Sequence, residues 1–220
     1  MKNICILFLV VLGLFSCDEE AQLSFVESNA IYNDNATVEI NIPVAQGNSN
    51  ASELINETLE NHIANMLVFA EEDLSTLKLD EAIETFENQY LKFKSDFEES
   101  ALVFEATFDG EVIYQSQEII TIALTGYTNT GGAHGNSNIT LYNFNPKTGK
   151  TLELEDIISD EESFTKVAET HFKTEIANNG KGTMEDYFFG EDFHLPANIG
   201  FSEEGVLLLY NPYEVAAYAM

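Results

Sequence analysis

Three stretches between residues 101 and 144 alternate apolar and polar side chains with only turn signals between them, and this limits the chain to a fold built on neighbouring strands. The stretches are 101–108 (ALVFEATF), 111–127 (EVIYQSQEIITIALTGY) and 138–144 (NITLYNF). A period of two puts alternate residues on opposite faces of a sheet, so each reads as a half-buried strand. Asp109-Gly110 between the first two is a hairpin turn signal. Asn145-Pro146-Lys147-Thr148-Gly149-Lys150 after the third is also a turn. Strands that follow one another through tight turns pair antiparallel.

Helical spacing appears on either side of this block. After a short strand near Leu23-Ser24-Phe25-Val26 and an alternating strand at 36–44, a helix is expected from Asn50. Glu53 is its capping-box partner, and its stripe is Leu54/Ile55, Leu59, Ile63 and Met66/Leu67. A second starts near Asp80, with Ala82/Ile83, Phe86, Tyr90, Phe93 and Phe97 along one side. A third opens on a capping box of Ser159 and Glu162, with Phe164, Val167/Ala168, Phe172 and Ile176 as its stripe; Asn178-Asn179-Gly180 ends it. A hairpin of 198–202 and 206–210 follows, and Asn211-Pro212 opens a last helical turn. Helices cluster early and late rather than alternating with strands. The expected class is α+β: an antiparallel sheet with helices packed on it, in two small subdomains.

The N-terminus is of a different kind. Ile4 to Phe15 is an uncharged run of 12 residues behind a single Lys. A bilayer span needs roughly 20 apolar residues, so the run has the form of a signal peptide rather than a membrane helix. It ends at Leu14-Phe15-Ser16-Cys17, which resembles the lipobox of bacterial lipoproteins, where the cysteine is lipidated and becomes the new N-terminus. The organisation expected is a signal peptide at 1–16, a lipidated tether at 17–34, an N-terminal α+β subdomain at 35–100 and a C-terminal α+β domain at 101–220. Cys5 leaves with the signal and Cys17 carries lipid, so no disulfide forms. Asp18-Glu19-Glu20 resembles the acidic signal that sends some lipoproteins to the outside of the outer membrane. The location expected is therefore the cell envelope, anchored by lipid, at the outer membrane.

Charge narrows the partners. The chain carries 38 acidic side chains against 9 basic ones, all lysine, for a formal charge of −29. Nucleic-acid binding rests on cationic contacts with phosphate, so that partner class is excluded. The absence of Arg removes the bidentate clamp for phosphate and carboxylate ligands. Long-range attraction favours cationic partners, although the same charge also serves solubility.

Signatures of catalysis are lacking. Ser75-Thr76-Leu77-Lys78, Ser163-Phe164-Thr165-Lys166 and Lys147-Thr148-Gly149 mimic the penicillin-binding set. Their contexts, an interhelical connection, an amphipathic helix and a Pro-containing turn, are wrong for it. His62, His134, His171 and His194 form no zinc motif. His171 and Glu175 share a helical face but lack further ligands. Glu153 to Glu162 is acid-rich without the central Gly of a calcium loop. No catalytic residue, metal ligand or cofactor is assigned.

One stretch is more specific: Leu124-Thr125-Gly126-Tyr127-Thr128-Asn129-Thr130-Gly131-Gly132-Ala133-His134, with Leu141 to Lys150 (LYNFNPKTGK), Leu152 to Ile157 (LELEDI), and Asn211 to Ala216 with Tyr218. It resembles an envelope domain family of uncharacterised function. That family forms the extracytoplasmic part of RsiV-type, lysozyme-sensing anti-sigma factors and precedes the catalytic domain of PdaC-type peptidoglycan deacetylases. The resemblance implies an envelope location and a ligand-binding role. It does not imply either relative's activity, because neither a deacetylase domain nor a cytoplasmic segment accompanies it here. Members also run on with a further strand past the point where this chain stops at Met220. The candidate binding loop is Tyr127, Gly131, Gly132 and His134. Two readings of it stand: His134 projects from the loop to bind, or the glycines only build the turn and His134 caps it.

The function expected is a non-catalytic binding or sensing module, held to the membrane by its N-terminal lipid, for a cationic protein such as lysozyme or for peptidoglycan. The alternatives are an enzyme acting on cell-wall glycan and a purely structural surface lipoprotein.

Overall fold

The computed structural model describes residues 23–47, 49–68, 77–179 and 182–217. Cys17, the acidic triplet after it and Tyr218 lie outside the described residues. The class is α+β, as expected. Five strands form one sheet in sequence order: β1 (Phe25–Tyr32), β2 (Thr37–Ala45), β3 (Glu105–Gln115), β4 (Ile120–Asn129) and β5 (Asn136–Phe144). Two helices, α1 (Asn50–Val68) and α2 (Leu79–Asp96), lie between β2 and β3 in the chain. After β5 come a single turn α3 (Leu154–Ile157), the helix α4 (Glu161–Asn179) and a two-stranded sheet of β6 (Asn198–Ser202) and β7 (Gly205–Leu209).

One face of the large sheet carries the main core. Val38, Ile40 and Ile42 of β2, Ala106 and Phe108 of β3, and Ile120, Ile122 and Leu124 of β4 pack on Ile55, Leu59, Ile63 and Leu67 of α1 and on Ala82, Ile83 and Phe86 of α2. Burying each large apolar side chain of this set contributes about 1.5–3 kcal/mol. The stripes of α1 and α2 read from the sequence are the faces that pack here, except that Phe97, just past α2, is exposed; the stripe of α4 lies outside this core, with Val167 exposed. No helix among the described residues is long and apolar enough to cross a membrane.

Several expectations are corrected. The sheet is not wholly antiparallel: β2 and β3 pair parallel, Thr37 opposite Glu105 through Asn41 opposite Asp109. A parallel pair needs a long crossover, and α1 with α2 supplies it. β1 runs to Tyr32 rather than ending near Val26, and pairs along its length with β2.

Asp109-Gly110 is not a turn. β3 passes straight through it, and the chain reverses at Ser116–Ile119, where the Ser116 hydroxyl accepts from the N–H groups of Glu118 and Ile119. Gly110 serves packing instead. A Cβ there would come within 2.8 Å of the Pro43 ring. Pro43 lies beyond the last pair of the β2–β3 ladder, where its missing N–H costs no hydrogen bond.

Helix entries shift by one residue. Ser49, not Asn50, caps α1, its hydroxyl accepting from the Ser52 N–H. Asp160, not Ser159, caps α4, its carboxylate accepting from the Ser163 N–H at 3.0 Å. That bond holds the Asp160 carboxyl below its ordinary range. The Asn211-Pro212 segment forms a turn rather than a helix, closed by the Glu214 N–H on the Asn211 carbonyl.

Candidate functional site

The two faces of the large sheet differ sharply. Helices cover one. Part of the other is covered by β6: the buried Asn143 side chain accepts from the Thr121 hydroxyl at 2.8 Å and donates to the Ile199 carbonyl at 2.6 Å. The Phe201 N–H reaches the Thr121 hydroxyl at 3.3 Å. Asn198 and Asn211 fasten the edge of β5. Asn198 accepts from the Leu141 N–H, and Asn211 both accepts from and donates to the Ile139 backbone.

The rest of this outer face is largely polar, with Ile31 of β1 exposed beside Glu39. Glu39 of β2 and Glu105, Asp109 and Glu111 of β3 are exposed there, and Thr125 and Tyr127 of β4 continue the same rows. None of the five strands contains a lysine or arginine. Polar neighbours hold two of the four carboxylates: Asn41 donates to Asp109 at 3.4 Å, and Tyr127 and Asn129 donate to Glu105 at 3.4 and 3.3 Å. The face is an ordered anionic surface, fixed by strand register.

The Gly-rich loop sits at the end of this surface. Asn129 accepts from the Gly131 N–H at 3.2 Å while donating to Glu105, so one amide joins loop and face. Gly131 takes φ +93, a conformation other residues rarely adopt. Gly132 needs no such φ. Gly135 lies so close to the Tyr127 side chain that a Cβ there would overlap its ring. His134 reaches toward Tyr213. Its Nδ1 meets the Gly135 carbonyl at 2.8 Å, its Nε2 lies 3.3 Å from the Tyr213 hydroxyl, and the two rings stack at 21°. Tyr213 itself has φ +70. The four candidate residues are therefore contiguous through Asn129, Gly135 and Tyr213, with His134 exposed at the rim.

The other histidines fall elsewhere. His62 packs edge-on against Tyr142, with Nδ1 2.8 Å from its hydroxyl. Burial lowers the His62 pKa and raises that of Tyr142 to about 12. Such a pair is a packed, satisfied core contact. His171 and Glu175 line an apolar groove of about 550 Å³ between α4 and β7. A second, polar groove of about 630 Å³ lies between β1 and the helices, where Glu57, Glu60 and Asp80 gather. Burial, then Asp80 and Glu57, raise the Glu60 pKa. Among the described residues no group of three or more side chains is placed to hold a metal ion. Ser163 and Lys166 lie on the α4 surface, and Lys166 pairs with Glu162.

The anionic face went unnoticed in the sequence, although its members occupy the polar positions of alternating strands. Only the register shows that they share one side.

Residues 29–137 match the family model described as Deacetylase PdaC, and residues 144–220 match that described as Protein of unknown function (DUF3298). The interval between the two matches falls within β5. Among solved structures, a DUF3298 family protein from Pseudomonas aeruginosa PAO1 aligns with a TM-score of 0.60 at 20% identity, over 90% of this chain and 85% of its own. A DUF3298 family member from Bacteroides fragilis NCTC 9343 aligns with a TM-score of 0.60 at 16% identity, over 90% and 87%. At these identities the likeness is one of fold. No curated protein matches the chain.

Proposed function

Since this chain carries a PdaC-family segment followed by a DUF3298-family segment, we propose that it is a non-catalytic binding module of the cell envelope, anchored through lipid on Cys17, whose ligand is a cationic protein. One observation carries the reading. The open face of the large sheet presents Glu39, Glu105, Asp109 and Glu111 with no cation in any of its five strands. Strand register gathers the four carboxylates on one side, and the amides of Asn41 and Asn129 hold Asp109 and Glu105, so less ordering is needed when a basic surface docks. The exposed His134–Tyr213 stack at the rim supplies aromatic area beside them, a residue type enriched at protein interfaces.

Lysozyme is the probe, being a stable and strongly basic protein. Calorimetric titration of the purified protein at low salt is expected to give saturable binding that weakens steeply as salt is raised, because exposed charges are screened. The combined substitutions Glu39→Gln, Glu105→Gln, Asp109→Asn and Glu111→Gln are expected to weaken it at least tenfold. Equal affinity of that variant, or no heat beyond that of a neutral control protein, overturns the reading. Anchoring is tested separately: labelled palmitate enters the wild-type chain in cells and fails to enter Cys17→Ala.

A further inference from the structure

The connection from α2 into β3 leaves apolar side chains in water where the acidic sheet face begins. Phe97 is 60% exposed and Val103 is 45% exposed. Single exposed apolar residues are ordinary, whereas a contiguous patch rimmed by charge marks an interaction site. These two residues belong to such a patch. The Phe97 ring packs on Phe93 at 5.1 Å between centroids, and Phe93 packs on Phe104 of the core at 5.2 Å. Leu102, the neighbour of Val103, lies against Gly131: a Cβ on that glycine would overlap Leu102 and touch Phe93.

The segment that carries the patch is held in shape. The Phe97 N–H donates to the Phe93 carbonyl and the Ser100 N–H to the Phe97 carbonyl, each at 2.9 Å. The Lys94 ammonium donates to the Ser100 carbonyl, and the Leu102 N–H meets the Ser100 hydroxyl at 3.3 Å. The Thr37 N–H donates to the Phe104 carbonyl at 2.9 Å and joins the segment to β2. A surface ordered in advance loses less conformational freedom when a partner docks.

Acidic groups lie on both sides of it. Val103 precedes Glu105 by two residues, and Gly131 follows Asn129, the partner of Glu105 across the ladder, by two. From there Glu105, Asp109 and Glu111 continue along β3. At about 3.3 Å per residue, the row from Val103 to Glu111 is about 26 Å long. On the other side Asp96, Glu98 and Glu99 line a hollow of about 500 Å³ together with Phe97. The two lysines of α2, Lys92 and Lys94, both precede Phe97, and Lys94 is engaged with Ser100.

Charge and apolar area act at different stages of binding. Exposed carboxylates speed the encounter with a basic partner, but at 0.1 M salt they are screened beyond about 10 Å. Retention rests on apolar and aromatic side chains that leave water on contact. A second copy of this chain would bring like charge onto like, so the occupant is a cationic partner. We propose that the basic protein bound by the sheet face seats an apolar side chain on Phe97 and Val103, beside Gly131. Its contact surface is then amphipathic, an apolar or aromatic side chain flanked on both sides by lysine or arginine. This rests on the function proposed above and names which basic surfaces the face selects.

The test compares two fluorescent nine-residue peptides that differ only in the middle residue: four lysines on each side of a tryptophan, or four on each side of a glycine. Each is titrated into the purified protein at 10 and 150 mM salt and followed by anisotropy. At 150 mM the tryptophan peptide is expected to bind at least fivefold tighter than the glycine peptide. Phe97→Ser combined with Val103→Ser should remove that advantage and leave the glycine peptide unaffected. Phe189→Ser, which removes an exposed ring on another element, should retain it. Equal affinity of the two peptides for the wild-type protein shows attraction by charge alone and overturns the proposal while the sheet-face reading stands; that comparison depends on no variant folding. An advantage that survives the double substitution, or that Phe189→Ser abolishes, also overturns it, since the tryptophan then sits elsewhere. So does the absence of saturable binding by either peptide at 10 mM salt, and the lysozyme titration, which uses neither peptide, decides separately whether the sheet-face reading falls with it.

Discussion

Gly110 and His62 each answer to a neighbour far along the chain. A methyl group at Gly110 meets the Pro43 ring at 2.8 Å, and both lie in strands that cannot separate without breaking the sheet. Overpacking of this kind typically costs about 1–3 kcal/mol. Gly110→Ala should lower the urea midpoint by a corresponding amount. The combination with Pro43→Ala should recover part of the loss, because the ring is the obstacle. His62 concerns pH. Burial lowers its folded-state pKa below the ordinary histidine value, so the unfolded chain binds the proton more tightly. The stability this group contributes is present above about pH 6.5, the unfolded value, and is lost as pH falls toward the lower folded value. Denaturation at pH 7.5 and pH 5.5 should show a smaller loss on acidification for His62→Gln than for the wild type. The raised Glu60 pKa works in the opposite direction and is common to both proteins, so the difference between them isolates His62.

Elements are joined by side-chain amides as much as by apolar contact. Asn143 is buried between Thr121 and Ile199, and replacing it with Ala strands a hydroxyl and a carbonyl in a dry interface. Leaving buried polar groups unsatisfied costs about 1–3 kcal/mol each, so Asn143→Ala should destabilise markedly more than Asn145→Ala in the exposed turn. Chemical denaturation of the two variants decides it. The helices of this fold were legible in the sequence because their stripes repeat at helical spacing; α1 and α2 bury that side, and α4 buries Ala168 and Ile176 of its own. β1 was read as tether because, as an edge strand with Val26 and Ile31 exposed, it lacks a clean alternation. The parallel pairing of β2 with β3 left no local trace, since its partners lie more than 60 residues apart. Asp109-Gly110 misled because a glycine needed for packing has the same letter as one needed for a turn. At the site, the glycines announced a loop, but the contact of His134 with Tyr213 spans 79 residues and could not be seen before the fold.

On the scale of the molecule, a formal charge of −29 sets the chain against its own compactness. Self-repulsion is strongest where carboxylates are held side by side, and the sheet face holds four without a strand lysine among them. At 10 mM salt the screening length is about 30 Å, so charges across the whole face repel one another; at 0.1 M it is about 10 Å. The melting temperature should therefore rise by several degrees between 10 and 200 mM sodium chloride, and by the same amount with choline chloride at equal ionic strength. A rise that required a divalent cation would instead indicate binding at a specific site. The variant with amides at residues 39, 105, 109 and 111 sharpens the test. With four fewer negative charges it should melt above the wild type at 10 mM salt and show a shallower salt dependence, while its affinity for lysozyme falls. Stability gained and binding lost in the same protein is the outcome expected when repulsion is retained in the fold because a partner relieves it. A variant no more stable than the wild type would mean that the sheet accommodates these charges without strain, and their presence would then need no partner to explain it.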